Sequence, residues 1–557
     1  MSVGEALLLM VQGDFRMTNT LNTVKVVHAL DLVIRGARIL DGSGGPERRG
    51  DIAVRRDRLV SVGEPIPRGV AREELDASGL AAMPGIVDLH THSDVSIQSD
   101  AGCVSAIGQG VTTQVVGHCG FSAAPVSDET LAGMIDEEPV FAFPGVAWDW
   151  RSFEGYLDAV ARARPATNVV SLVGHTTLRR YVMGTAGRPP TATELIRMQD
   201  VLRSCLDAGA RGVSTGLTYA PGMFAATEEI VAIARVAAAA GRPYHTHMRY
   251  GDAGIRADVE ESIATAAAAG VELNISHLYP RPSDPEDEPQ RYLELIEVAR
   301  ASGNVVTFDM TVFLRGGGAW LQCVPKWARD GGLTETVARI LDPTKRRRIV
   351  DELRANPQWS APWDDHLIVK INRPANVALV GRTIAEIARE RGSDPLETAL
   401  DLVVEDGQYW VAPHIKVQAH LDALMRHPLC VPVTDGMAAH PVRHRELGIM
   451  PKTFGSFPLV LGSYVRDRGV ITLPEAVRRM TREPADRVGL ADRGRLEAGS
   501  AADLVLFDPA TVGNRATESG DPAAPPAGIA RVLVNGRWAM VDGVHAADAG
   551  ERWGRPL

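Results

Sequence analysis

The sequence predicts an α/β protein: a (β/α)8 barrel of the TIM type, with a small β-sandwich domain built from both termini and an inserted subdomain. Three observations predict it. Eight short apolar runs rich in β-branched residues alternate with helical stretches through the middle of the chain, the order that builds parallel βα units. Metal-binding and acid/base residue types recur at the C-terminal ends of those runs, where barrel enzymes keep their active sites. Residues near both termini share the alternating texture of half-buried strands, so the simplest arrangement joins them in one domain around the inserted middle.

Taken in order, residues 1–29 read as a loose N-terminal extension. Their apolar stretch, Ala6 to Val11, is too short for a signal peptide and follows Glu5 with no basic residue. Residues 30–82 read as the first part of the sandwich: DLVIRGARIL, the turn DGSGGPERRG, then DIAVRRDRLVSVG. The barrel is expected over 83–480, with strand runs at 82–92, 111–120, 168–175, 211–219, 242–249, 271–278, 304–310 and 429–436. Between them lie Ala-rich amphipathic stretches such as ATEEIVAIARVAAAAG and DVEESIATAAAAG, each closed by glycine as helices prefer. More than a hundred residues separate the seventh run from the eighth. Part of that interval, 313–373, with its Arg-Gly-Gly-Gly and Trp-rich character, reads as an insertion or lid over the site. Residues 481–557 complete the sandwich with ADLVLFDPA, a Pro/Gly/Ala-rich loop from Ser519 to Gly528, and IARVLVNGRWAMVDG.

The whole-chain properties narrow the function. With 45% hydrophobic and 23% charged residues the composition is that of an ordinary globular protein. A net charge of −10, a pI near 5.9 and a single basic run, Lys345 to Arg348, argue against a nucleic-acid partner. No segment approaches the ~18 consecutive apolar residues of a membrane helix. The five cysteines are scattered, odd in number and without CxxC spacing, which fits reduced thiols in a cytoplasmic enzyme. Oligomeric state is not legible.

The candidate chemistry sits at the strand ends. His90 and His92 close the first run, and at a period of two both imidazoles point the same way and can reach one metal ion. Cys119 ends the second run, His247 lies in the fifth, His277 in the sixth and Asp435 in the eighth. Singly, each has an ordinary reading: a buried small hydrophobe for Cys119, core histidines for His247 and His277, a turn former for Asp435. Together they are zinc ligands or general bases at the same end of one barrel.

The segments AMPGIVDLHTH, GHCGFS, GHTTLRR, STGLTYAPG, HMR, ISHL, VTDG, FGSFPLVLG and AADLVLFDP, spread from Asp31 to Gly543, resemble the D-aminoacylase (N-acyl-D-amino-acid deacylase) branch of the amidohydrolase superfamily. The resemblance implies a (β/α)8 barrel with a small β-sandwich. It also implies a zinc site with a cysteine in place of the carbamylated lysine of related enzymes, one zinc tightly bound and a second position weaker. Carried over, it makes Cys119, His247 and His277 the ligands of the tighter zinc, with Cys119 bridging, and sets His90, His92 and Asp435 around the second position. His247 is preferred to His245 because the family ligand lies two residues before an arginine, here Arg249; His118 stands where relatives usually carry asparagine.

The implied activity is hydrolysis of the amide bond of an N-acyl-D-amino acid. Zinc lowers the pKa of a bound water to about 7 and polarises the carbonyl, while Asp435 takes the water's proton and returns it to the departing amine. Tyr219 and His175 are candidates to stabilise the oxyanion, and Tyr219, Arg249, Tyr279 and Lys452 to bind substrate.

Three departures touch the substrate. Tyr279 stands where relatives place a lysine, Lys452 in PKTFGSFP stands where they place an arginine, and Asp309-Met310-Thr311 replaces an aromatic motif. His440, Arg443, His444 and Arg445 form either a replacement anion clamp or a solvated basic loop. Two alternatives stand beside the deacylase reading: a cyclic-amide (hydantoinase- or dihydroorotase-like) or specialised acyl-amide hydrolase, and a non-catalytic binding or scaffold protein of the same fold.

Overall fold

The structure, a computed structural model, describes residues 29–138, 140–251, 253–356 and 362–557. The N-terminal extension apart from Ala29 lies outside the described residues.

Eight strands run parallel and in chain order around the middle of the fold. They are Ile86–Asp88, Val111–Val116, Asn168–Ser171 continued by Val173–Gly174, Val213–Gly216, Tyr244–His247, Leu273–Ile275, Val306–Thr311 and Cys430–Val433. The third strand breaks at Leu172, whose N–H still donates to Val116 O at 2.9 Å. The eighth meets the first through backbone bonds from Asp435 N–H to His90 O (2.9 Å) and from His92 N–H to Gly436 O (2.7 Å), which close the ring. The Thr434 hydroxyl, 2.5 Å from the Asp88 carboxylate, reinforces that seam.

Val111–Val116 and Val306–Thr311 are buried at every position, and half of each strand is Val, Phe or Met. Side chains two residues apart, such as Val87 and Leu89 or Val431 and Val433, pack into one cluster with Val115, Val170 and Leu172. Each such burial contributes about 1.5–3 kcal/mol. The one charged residue of the seventh strand, fully buried Asp309, needs partners, and it has them in the site below.

Both termini build a nine-stranded sheet. Its seam is the antiparallel pairing of Leu504–Phe507 with Ala81–Pro84, and Leu32, Ile34, Leu504, Leu506 and Leu533 share its core. Among the described residues no helix is long and apolar enough to cross a membrane.

Three boundaries differ from the sequence reading. The expected first run, 82–92, is two strands, Ala81–Pro84 in the terminal sheet and Ile86–Asp88 in the barrel, with the chain passing from one to the other at Gly85. A Cβ at Gly85 would fall 2.1 Å from Thr112 Oγ1, so no side chain fits there. Residues 482–487, assigned to the sandwich, form a helix instead. Ala485, Val488 and Leu490 pack with the barrel strands because their apolar groups find that core first; the C-terminal sheet strands begin at Leu504.

The insertion is also longer than 313–373. Its three-stranded sheet joins Gly318–Ala319 and Ile368–Lys370 to a middle strand as late as Trp410–Val411. The helices Ile384–Arg391 and Pro395–Asp406 turn their apolar faces to a separate core containing Trp320, Ile349, Ile387, Leu400 and Tyr409, not to the barrel. Thr383 and Asp394 cap those helices, so both start cleanly. Periodicity shows that a helix is amphipathic but not which core it covers. The barrel's own helix before the eighth strand is Gln418–Arg426.

Candidate metal centre and its cavity

Three of the expected ligands take the left-handed backbone conformation where the chain turns off its strand: Cys119 at φ 53°, His277 at 37° and Asp435 at 46°. Such strain in non-glycine residues persists only where surrounding structure enforces it, and it gathers at functional sites. Gly216 makes room for the first of these turns, since a Cβ there would lie 1.9 Å from Cys119 O.

The turns bring the side chains together. Cys119 Sγ lies 3.4 Å from His90 Nε2 and 3.5 Å from His277 Nε2, and His277 Nε2 is 2.9 Å from His247 Nδ1. Asp435 Oδ1 lies 3.2 Å from His92 Nε2 and 3.6 Å from His90 Nε2. Two sets have their ligand atoms mutually within 4.8 Å, His90 with Cys119 and His277, and His90 with His92 and Asp435. His90 belongs to both. His90 and His92 fall in one cluster, with Asp435, while Cys119 is approached by His90 as well as by the two histidines that the resemblance named. His247 sits beside His277 with its Nε2 bonded to Thr218 Oγ1 at 2.8 Å.

Electrostatics follow from this crowding. Burial alone would raise the Cys119 thiol, yet His90, His247 and His277 around it hold it well below its ordinary value. Burial likewise opposes ionisation of Asp435, and Lys452, His92 and His90 overcome it, keeping the carboxyl well below the usual carboxylate range. Burial keeps the Tyr219 phenol protonated, well above its ordinary value.

Second-tier partners fix the rings. Asp309 Oδ1 accepts the His277 backbone N–H at 2.6 Å and lies 3.4 Å from His90 Nδ1; its Oδ2 accepts from Asn274 Nδ2 at 2.6 Å. The Tyr250 hydroxyl lies 3.1 Å from His277 Nδ1. His118 stacks on His90 with ring centroids 4.0 Å apart. Sequence reasoning missed Asp309, Tyr250 and Thr218 as supports. Asp309 left a signal, the lone charge in its strand run; the other two left none.

The centre opens onto a cavity of about 1220 Å³, larger than the 300–1,000 Å³ typical of ligand pockets. His92, Cys119, His247, His277 and Asp435 reach it from the barrel, and Trp320, Val324, Trp327 and Leu353 from the insertion. Tyr219 and Tyr279 line it as well. Lys416, which sequence reasoning did not select, lines it too.

Three expected roles are corrected. His175 is fully buried, its Nε2 is 2.8 Å from Glu229 Oε1 in a network with Arg179, and it does not line the cavity, so it cannot face an oxyanion. Arg249 reaches the cavity wall, but its Nε is held by both Glu261 oxygens at 2.9 Å and its Nη2 by Ala225 O. The Lys452 ammonium is committed to Asp435 Oδ2 at 2.6 Å, so it positions that carboxylate. The basic loop is not an anion clamp either: Arg443 pairs with Asp100, Arg445 with Asp521, and His444 lies 3.0 Å from Ser99 Oγ.

Comparison with known proteins agrees with this geometry. The amidohydrolase family profile matches residues 73–539. The chain is 34% identical to the N-acyl-D-glutamate deacylase of Alcaligenes xylosoxydans xylosoxydans, over 91% of this chain and 93% of the relative. It is 33% identical to the D-aminoacylase of the same organism, over 91% and 93%. The crystal structure of N-acyl-D-glutamate deacylase from Bordetella bronchiseptica, complexed with zinc and a phosphonate mimic of the tetrahedral intermediate, matches with a TM-score of 0.79 at 33% identity, covering 95% of this chain and 99% of that one. With the family profile, two curated relatives and a zinc-bound structure all spanning most of the chain, the protein belongs to the amidohydrolase family, in its D-aminoacylase branch.

Proposed function

We propose that this protein is a zinc-dependent, cytoplasmic hydrolase of N-acyl-D-amino acids, releasing the free D-amino acid and the carboxylate of the acyl group. The observation that carries the reading is the buried Cys119 thiol among His90, His247 and His277, with His92 and Asp435 beside it at the mouth of the barrel. Sulfur, imidazole and carboxylate donors are those zinc prefers, and a thiol held well below its ordinary pKa is ready to ligate. Buried His92 Nδ1 and both His118 nitrogens have no hydrogen-bond partner, a polar surplus that fits a cation-binding centre. The residues fit a metal: Cys119 and His277, with His247 as the resemblance implies and His90 within the same cluster, would hold the tighter zinc, and His90, His92 and Asp435 a weaker second position. All five cysteines are free and buried, which suits a reducing compartment.

When bound, zinc supplies a water nucleophile at neutral pH and polarises the amide carbonyl. The chain does the rest. Asp435, fixed by Lys452 and His92, removes the proton of the attacking water and delivers it to the amine nitrogen as the C–N bond breaks. The Tyr219 phenol, kept protonated by burial, donates to the carbonyl oxygen as it gains charge. Asp309 and Tyr250 hold His90 and His277 in the orientation that ligation requires. The cavity's volume and its wall of Trp320, Val324 and Leu353 accommodate an acyl group larger than acetyl.

The test is amine release from a panel of N-acetyl-D- and N-acetyl-L-amino acids by zinc-loaded protein and by Asp435→Asn. Release from D substrates that disappears in the variant supports the reading; turnover of hydantoins or dihydroorotate with silence on the D panel replaces it with the cyclic-amide alternative.

A further inference from the structure

Four cations that line the cavity, Arg281, Lys326, Arg329 and Lys416, have no ion-pair partner among the described residues, and of these Lys416 is the one that feels the charges of Asp435 and Lys452 at the metal centre. Lys416 sits on the segment that leads from the insertion's last strand, Trp410–Val411, to the helix Gln418–Arg426. The residue is only 7% exposed. Its ammonium donates to Phe313 O and Arg315 O, both at 3.3 Å, and lies 5.0 Å above the centre of the Tyr279 ring. Those contacts orient the group but leave its charge uncompensated, an expensive state for a buried ion. The other lysine at the centre, Lys452, is neutralised by Asp435, and Arg249 by Glu261.

The floor beneath Lys416 leads to the metal centre. Tyr279 stacks on Tyr250 at 5.9 Å, and the Tyr250 hydroxyl touches His277 Nδ1 at 3.1 Å. A molecule whose amide carbonyl lies at the ligand cluster can therefore lay a neighbouring carboxylate along these two rings toward Lys416. Burial, with Lys452 adding to it and Asp435 opposing, pushes the Lys416 ammonium down to about 7.

We infer that Lys416 binds the carboxylate of the acylated amino acid, and so is the residue that makes this site select N-acyl amino acids over their neutral amides. The inference rests on the proposed deacylase reading and deepens it. The ligand class is a monoanion with its carboxylate on the amine side of the scissile bond. The same strand-to-helix segment that closes the insertion thereby supplies the specificity element of the barrel, because Tyr279 provides an aromatic floor and no charge.

The experiment pairs each N-acetyl-D-amino acid of a panel with its carboxamide and compares the zinc-loaded full chain with Lys416→Met. The expected result is a KM for the acids raised about 10- to 100-fold, with kcat within about three-fold and KM for the carboxamides within about two-fold. Lys416→Arg, which keeps the charge, recovers most of the loss. Zinc content and retained carboxamide turnover show that the variant is folded. Equal rises in KM for acid and carboxamide would mean that Lys416 merely straps the Phe313–Arg315 segment, and overturn the inference. If the wild type releases amine from neither member of any pair, the deacylase reading fails. Calorimetric titration with the same N-acetyl-D-amino acids then still decides: binding that Lys416→Met weakens at least ten-fold keeps the assignment, while equal or absent binding removes it.

Discussion

Replacing Asp309 by asparagine tests whether the metal centre depends on a carboxylate that touches no substrate. Asp309 is fully buried, accepts from His277 N–H at 2.6 Å and Asn274 Nδ2 at 2.6 Å, and lies 3.4 Å from His90 Nδ1. Asparagine keeps the volume but has one acceptor oxygen and one NH2 donor. If the oxygen serves His277 and His90, the new NH2 faces Asn274 Nδ2, donor against donor. Asn274 cannot flip to accept, because its Oδ1 already takes bonds from Thr307 Oγ1 at 3.1 Å and Arg487 Nη1 at 3.0 Å. One charge-assisted bond is lost whichever way the amide lies, about 1.5–3 kcal/mol. If that loss falls on the orientation of His90, it is roughly a 10- to 100-fold drop in zinc affinity, the usual range for removing such a support. The assay is a chelator competition for zinc on wild type and Asp309→Asn, with circular dichroism to show that both are folded. Zinc affinity within two-fold of wild type would refute the reasoning.

Three further outcomes follow from the geometry. Lys452→Met removes the cation paired with the half-buried Asp435 carboxylate and leaves only His92 and His90 beside it, so kcat should fall about 10- to 100-fold and stability by about 1.5–3 kcal/mol, read by steady-state kinetics and denaturation. The pH profile of kcat/KM for N-acyl acids should bend near 7. The Lys416 ammonium, held down to about 7 by burial with Lys452 adding and Asp435 opposing, is charged below that pH and lost above it. Nearby Tyr279 stays a neutral phenol and Arg315 is paired with Asp365. The predicted fall is therefore about tenfold per pH unit above 7 for acids, with none for carboxamides, and parallel profiles for the two would contradict it. His175→Gln should lower the unfolding midpoint through its lost Glu229 bond, about 1–3 kcal/mol, and leave kcat within three-fold; a collapse of kcat in a stable variant would restore a catalytic role to His175.

The sequence reading reached as far as strand periodicity and residue type could carry it. His90, His92, Cys119, His247, His277 and Asp435 were legible because ligand chemistry sat at the ends of apolar runs, and the structure brings them together. What was illegible is which partner each charge would meet. Lys452 and Arg249 look like substrate cations in a string of letters, and only three-dimensional proximity shows that Asp435 and Glu261 hold them. Lys416 was invisible for the converse reason: nothing in PHIKVQ marks it, and its importance comes from the missing carboxylate beside it and the Tyr279 ring below. The insertion was detected from its length but cut short at 373, because helices Ile384–Arg391 and Pro395–Asp406 carry the same amphipathic pattern whether they cover a barrel or a core of their own. Gly85, one residue between two sheets, hid a domain boundary inside what reads as a single strand.

The most direct test of the account is metal removal and return. Amine release from the best N-acyl-D-amino acid is followed in chelator-stripped protein and again after adding zinc. The account predicts that stripping abolishes release and zinc restores it, with the L enantiomer turned over far more slowly throughout. Full activity in protein shown to contain no metal, or preference for the L enantiomer, would contradict it.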